Sequence, residues 1–232
     1  MSASTKAHVF VADLGAPELS DDDRHHLDRV LRLRAGDLIT VSDGSGGSVD
    51  CHFAPMLEPV GEVAHEPQAA PPVVVGFAVV KGERTEWAVQ KLTELGADRI
   101  VPFVAARSVV RWDAGDKRAA RHVERLRRVA REAASQSRRA WLPVVEDVTT
   151  FDEVAGRGAA LADRAGDPPA PPYGIVLVGP EGGWAPEELA TGLPRVKLAV
   201  HVLRTETGAV AAGALLSALR AGVVAPSSPS SR

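Results

Sequence analysis

The 232-residue sequence predicts an α/β fold: a mainly parallel sheet covered by helices, preceded by a small β-barrel domain. Three observations carry this. Beyond residue 72, continuous apolar runs at Val73–Val80, Ile100–Val104 and Ile175–Val178 alternate with helical patterns. Such runs suit strands buried on both faces, and the alternation suits a parallel sheet. Residues 8–66 instead read as short strands and tight turns. Between the two, Glu66-Pro67-Gln68-Ala69-Ala70-Pro71-Pro72 has linker composition. The expected domains are therefore 1–70 and 71–225, followed by a disordered tail at 226–232.

In chain order, Val9–Val11 is a strand candidate. Ser20 before Asp21-Asp22-Asp23 has the pattern of a helix N-cap with acids at the positive end of the dipole, and His25–Leu33 is the helix expected there. Gly36-Asp37 turns into Leu38–Val41, and Asp43-Gly44 with Gly46-Gly47 mark a hairpin. In the second domain, strand Val73–Val80 leads to helix Thr85–Leu95, stopped by Gly96. Strand Ile100–Val104 leads to a long helix over 114–137. Strand Ile175–Val178 runs into a glycine-rich turn, after which Pro186-Glu187-Glu188-Leu189 starts a helix with proline in its first turn. Val196–Val200 is the last expected strand, and Thr207–Ala221 the last helix. Pro168–Pro172 reads as a surface loop.

Composition is that of an ordinary soluble globular chain, 45% hydrophobic and 25% charged. The single cysteine, Cys51, allows no internal disulfide and suits a reducing compartment. The longest apolar stretch, Gly208–Leu219, falls short of the ~20 residues that span a bilayer. The start, MSASTKAHVF, lacks a basic-then-apolar signal pattern. The expected location is cytoplasmic, with no membrane contact.

The net charge of −3 hides an asymmetry: residues 1–70 carry −7 and residues 71–232 carry +4. The long helix concentrates it, with nine Lys/Arg against two Glu over 117–139. On a helical wheel Ala119, Val123, Leu126, Ala130 and Ala133 share one face, and Arg118, Arg121, Arg125, Arg128 and Arg131 take the other. One face packs and the other offers guanidinium groups, a footprint for nucleic acid. A solvated charged face is the plainer alternative, though so many cations with so few acids would repel one another.

Gly179-Pro180-Glu181-Gly182-Gly183 ends a buried strand, where glycines let a ligand approach backbone N–H and C=O groups. Neither GxGxxG nor GxxxxGK[ST] is present, which counts against a pyrophosphate ligand and a dinucleotide-dependent enzyme. Leu198–Thr207 reads as a second strand end that brings Arg204 and Glu206 beside that loop. A turn-stabilising ion pair is the alternative there. Adjacent His25 and His26 do not share a helix face, and Cys51-His52 has no partner at zinc spacing. No GxSxG elbow appears.

Together these stretches resemble the ribosomal RNA small subunit methyltransferase E family, the 16S rRNA uridine-N3 methyltransferases of the SPOUT (trefoil-knot) superfamily. The resemblance rests on His26-Leu27 with Val30-Leu31-Arg32 and Gly36-Asp37, then Lys81-Gly-Glu-Arg84 and Gln90-Lys-Leu-Thr-Glu-Leu-Gly96. It continues through Pro102, Arg107-Ser108, Glu132-Ala to Gln136-Ser-x-Arg139, Gly179-Pro-Glu-Gly-Gly183 and Leu203-Arg-Thr-Glu-Thr207. It covers nearly the whole chain. It implies a PUA-like barrel before a SPOUT-type trefoil-knotted domain, a homodimer, S-adenosyl-L-methionine as cofactor and no metal. Gly179, Glu181, Gly182 and Gly183 would form one cofactor loop, with Leu198, Val202 and Leu203 on the other side. Arg204 and Glu206 would be catalytic, with Glu206 either the base or the group that orients Arg204.

The substrate implied is a uridine of 16S rRNA near the decoding site, on the assembled small subunit. The candidate RNA contacts are Arg32, Lys91, Arg107, Arg125, Arg128, Gln136 and Arg138. The family usually carries Gly, Arg, Ala and Glu where this chain has Ala199, His201, Gly208 and Ser135. A non-catalytic RNA-binding or assembly factor and a tRNA methyltransferase of the same superfamily are the competing readings.

Overall fold

The computed structural model describes residues 5–112 and 115–226. Its contacts divide into two units: residues up to Ala69 with Arg131–Leu142, and Ala70–Ala130 with Pro143 onward.

The first unit holds β1 (His8–Phe10), α1 (Asp21–His25), a π-helical turn over His26–Val30, β2 (Leu38–Ser42), β3 (Gly47–His52) and β4 (Glu58–His65). The sheet runs β1-β2-β3-β4, with β1 and β2 parallel and the other pairs antiparallel. Ile39 and Val41 face Cys51 and Val49 in register, and all four are buried. The expected hairpin forms because the Asp43 carboxylate accepts the Ser45 and Gly47 N–H groups, while Gly44 and Gly46 take the positive φ that the turn needs. Burial pushes the Cys51 thiol up to about 11, with Asp50 adding to it, so it stays protonated and unreactive.

Helix α1 corrects the expectation of a helix over His25–Leu33. Ser20 accepts the Asp23 N–H, so the helix begins at once after its cap. The π-helical turn that continues it ends at Val30, because Arg32 turns left-handed at φ 56° and the Leu33 N–H donates back to the Leu27 carbonyl.

The second unit holds β5 (Val74–Ala78), α2 (Arg84–Glu94), β6 (Arg99–Val104), β7 (Val144–Val145), β8 (Thr149–Thr150), α4 (Phe151–Ala155), β9 (Ala159–Asp167), β10 (Ile175–Val178), α5 (Pro186–Leu189), β11 (Arg195–Val196) and α6 (Thr205–Arg220). Its parallel sheet runs β11-β9-β10-β5-β6-β7, with β8 also on β6. The continuous apolar runs have their expected cause. Along β10, Val176 and Val178 enter one core with Phe77, Leu92 and Leu126, while Ile175 and Leu177 enter the opposite core with Phe103, Phe151 and Trp184.

The long helix α3 spans Lys117–Gln136. Ala119, Val123, Leu126, Ala130 and Ala133 are all buried, as the periodicity predicts. From Arg131 onward it belongs with the first unit, whereas the linker reading placed 131–142 in the second domain. Arg131 donates to the Phe10 carbonyl, lies over the Phe10 ring and pairs with Asp23.

Three further differences matter. The strand expected over Val196–Val200 is reduced to Arg195–Val196. This edge strand pairs only with β9, and beyond Lys197 the chain leaves the sheet. Helix α6 starts at Thr205 rather than Thr207. Strands β4 and β9 had no expected counterpart, since Ala159–Asp167 is rich in Ala, Asp and Gly, which strands disfavour. The expected tail lies outside the described residues from Ser227 on.

Candidate active site

Strands β5 and β10 are neighbours, so the segments leaving their carboxyl ends lie side by side, where parallel sheets bind ligands. After β10, the Gly183 N–H donates to the Pro180 carbonyl and Gly183 adopts φ 69°, closing a tight turn. Trp184 forms its base, stacked parallel to Phe103, tilted against Phe151, and donating its indole N–H to the Ala162 carbonyl at 3.0 Å. A Cβ on Gly179 would meet the Trp184 ring at 3.0 Å, so any larger residue there would press the ring back by a few tenths of an ångström. The buried Glu188 carboxylate accepts the Ala185 and Ala106 N–H groups, which starts α5 and ties down the segment after β6.

The second wall is the segment from Lys197 to Arg204. It is irregular, and this freedom lets its backbone follow the pocket. The Thr205 hydroxyl joins the two walls by donating to the Gly179 carbonyl at 2.9 Å. Between them lies a cavity of about 300 Å³. Of the sequence-predicted cofactor residues, Gly179, Glu181, Gly183, Leu198, Val202 and Leu203 line it. Gly182 lies just outside, its carbonyl accepting from Arg107 at 3.1 Å. Ala199, His201 and Gly208, three of the family departures, also line it. The departure at 208 has a local cause: a Cβ there would stand 2.8 Å from Val178 Cγ1, in the same pocket wall.

Arg204 is exposed at the N-cap of α6. Glu206 is buried; one oxygen lies 3.6 Å from Arg84 and the other, Oε2, has no hydrogen-bond partner. The two are not paired with each other, which removes the turn-stabilising ion pair as their explanation. The sequence reading named Arg84 only within the Lys81–Arg84 motif and gave it no role, and it passed over Trp184 and the Ala162–Arg164 wall from β9. For Arg84 a signal existed: a cation at the first position of a helix opposes the helix dipole.

The candidate RNA residues divide. Arg32, Arg128 and Gln136 are exposed. Lys91 pairs with Glu94, Arg125 with Glu86, and Arg138 donates to Thr5. Arg107 sits on the glycine loop. Among the described residues, no cluster of three or more His, Cys, Asp or Glu is placed to hold a metal ion, and no helix is long and apolar enough to cross a membrane.

A family model described as an RNA methyltransferase domain matches residues 67–217. One described as an RNA methyltransferase PUA domain matches residues 19–54. A PUA unit before a parallel-sheet domain with a pocket at its strand ends is thus the architecture of an RNA methyltransferase. Ribosomal RNA small subunit methyltransferase E of Mycobacterium tuberculosis (strain CDC 1551 / Oshkosh) is 37% identical, with 88% of this chain and 87% of that protein covered. The protein of the same name from Bacillus subtilis (strain 168) is 30% identical, with 82% and 84% covered. A crystal structure of Ribosomal RNA small subunit methyltransferase E from Neisseria gonorrhoeae, bound to S-adenosyl methionine, superposes with a TM-score of 0.77 at 26% identity, covering 92% of this chain and 97% of that one. The chain belongs to the ribosomal RNA small subunit methyltransferase E family, as its motifs implied.

Proposed function

We propose that this protein uses S-adenosyl-L-methionine to methylate N3 of a uridine in 16S rRNA near the decoding site, on the assembled small subunit. The observation that carries the reading is the pocket closed by Gly179–Gly183 and Leu198–Leu203, whose lining residue Glu181 shares Arg84 with the buried Glu206. The residues suit that cofactor. Val178, Trp184, Leu189, Leu198 and Leu203 give an apolar slot for a flat purine, and Glu181 and Asp163 offer negative charge to a cationic sulfonium and ammonium. When bound, the cofactor supplies an electrophilic methyl group.

Uracil N3 is a poor nucleophile while it carries its proton. Glu206 would take that proton on its carboxylate: the N3–H bond breaks, an O–H bond forms, and the freed N3 lone pair bonds to the methyl carbon as the carbon–sulfur bond breaks and its electron pair leaves on sulfur. Arg204, exposed at the helix start, stabilises the negative charge that develops on the ring oxygens. N3 lies on the pairing edge of the base, so the target uridine is unpaired or flipped out. Arg32, Arg128 and Gln136 contact the RNA with side chains that carry no competing partner. Lys91, Arg107, Arg125 and Arg138 join them by exchanging their present partners for phosphates.

The working form proposed is a metal-free cytoplasmic homodimer with the trefoil knot of its superfamily and domains at 1–70 and 71–225, the segment 131–142 of the second grouping with the first. Val200 and Val202, each about three-quarters exposed beside the pocket, suit a subunit contact.

The test is methyl transfer from labelled S-adenosyl-L-methionine to unmethylated small subunits, naked 16S rRNA and bulk tRNA, with the product nucleoside identified. N3-methyluridine from small subunits is expected. Label in tRNA alone would overturn the substrate, and cofactor binding without any transfer would favour an assembly factor.

A further inference from the structure

Two carboxylates far along the chain converge on one guanidinium. Arg84 Nε donates to the Lys81 carbonyl at 3.2 Å. Its Nη1 donates to Glu181 Oε1 at 2.9 Å and stands 3.6 Å from Glu206 Oε1. Arg84 is the first residue of α2, where its charge opposes the helix dipole. The two carboxylates compensate for that placement.

Glu206 is the more telling partner. Its side chain is 8% exposed, Oε1 meets Arg84, and Oε2 meets no donor. A buried carboxylate with an unpartnered oxygen is costly as a structural ion pair. It is the arrangement expected of a group held by one oxygen so that the other can accept a proton. Arg84 comes from α2, Glu181 from the glycine loop shares that guanidinium, and Arg204 caps Glu206's own helix. Strands β5 and β10, against which α6 packs, are apolar throughout.

We propose that Arg84 is a positioning residue for methyl transfer: it fixes Glu206 through Oε1 and leaves Oε2 free for the proton, while Glu181 sets how much of the Arg84 charge Glu206 receives. This rests on the reading of Glu206 as the proton acceptor. Glu181 therefore has two roles, lining the cofactor pocket and sharing Arg84. Once Glu206 is protonated its attraction to Arg84 is lost, and Arg84 stays with Glu181.

The experiment uses the full chain with S-adenosyl-L-methionine and unmethylated small subunits, measuring kcat, KM, cofactor affinity and the pH–rate profile. Glu206→Gln is expected to lose about 100-fold or more in kcat. Arg84→Gln loses roughly tenfold in kcat, keeps cofactor affinity within about threefold, and moves the acid limb of the rate profile up. Arg84→Lys restores most of the rate, since one point charge can hold one oxygen. Glu181→Gln, which frees Arg84 for Glu206, moves the acid limb down.

Arg84→Gln with the wild-type kcat and acid limb, alongside an inactive Glu206→Gln, would overturn the positioning role and leave the proton acceptor standing. An active Glu206→Gln would overturn both. If Arg84→Gln fails to fold by circular dichroism, Glu181→Gln decides: an acid limb that stays or moves up refutes the sharing of charge.

Discussion

Replacing Thr205 with valine tests whether the pocket is assembled by a single hydroxyl. Thr205 is 2% exposed, and its Oγ1 donates to the Gly179 carbonyl at 2.9 Å. Valine keeps the shape and removes the donor, leaving that carbonyl without its partner. Stranding a buried acceptor costs about 1–3 kcal/mol; for this part-buried bond about 1.5 kcal/mol is appropriate. In a domain of this size that lowers Tm by roughly 3–6 °C. The loss falls on the joint between the pocket walls, so part of it appears in binding. With less of the population holding the competent wall geometry, S-adenosyl-L-methionine affinity falls about three- to tenfold. Calorimetric unfolding without cofactor and titration calorimetry with it measure the two effects. Thr205→Ser keeps the hydroxyl and should restore affinity. Valine with unchanged Tm and unchanged affinity would refute the reasoning, as would serine losing as much affinity as valine.

Other expectations follow from individual side chains. Burial, and then the Arg138 charge, lower His8 from 6.5 to about 4, so the folded protein keeps it neutral and the unfolded chain protonates first. Stability is full above pH 6.5 and is lost as pH falls toward 4, by about 2 kcal/mol at pH 5. His8→Gln should flatten this dependence in urea titrations between those pH values. Methylation of small subunits should fall steeply as salt rises, and Arg128→Ala should reduce the log–log salt slope by about one; a flat salt response would refute a phosphate-dominated interface. Arg204→Lys should cost roughly tenfold in kcat if a planar fork is needed at the base, and full activity in that variant would remove the bidentate role.

The sequence announced much of the second unit because buried parallel strands leave a strong trace. Val74–Ala78, Arg99–Val104 and Ile175–Val178 form close to their expected limits, since side chains of both alternations must be apolar when both sheet faces are covered. The burial of Ala119, Val123, Leu126, Ala130 and Ala133 follows from the helical period alone. Where tertiary contacts override local preference, the trace fades. Strand β9 forms from Ala159–Asp167 because β10 and β11 supply its partners, not because its residues favour strands. The segment after Val196 has β-branched residues and still leaves the sheet, for it is an edge with no further strand to pair.

The candidate site shows the same division at finer grain. Glycine at 179 and 183 was legible, since the turn takes a positive φ at Gly183 and Trp184 packs close against Gly179. The partners of Arg84 were not, since its motif and its place at a helix start mark it as unusual but do not say that Glu181 and Glu206 meet it. Ninety-seven residues separate Arg84 from Glu181, so no local spacing rule can join them. What does join them is topology: β5 next to β10 places the segment before α2 against the glycine loop, and the Thr205–Gly179 bond sets the start of α6 beside both. The chemistry thus depends on strand order as much as on residue type. A carboxylate meant to accept a proton has to be buried and yet held by one oxygen only, and neighbouring strands can place a cation there from a remote part of the chain.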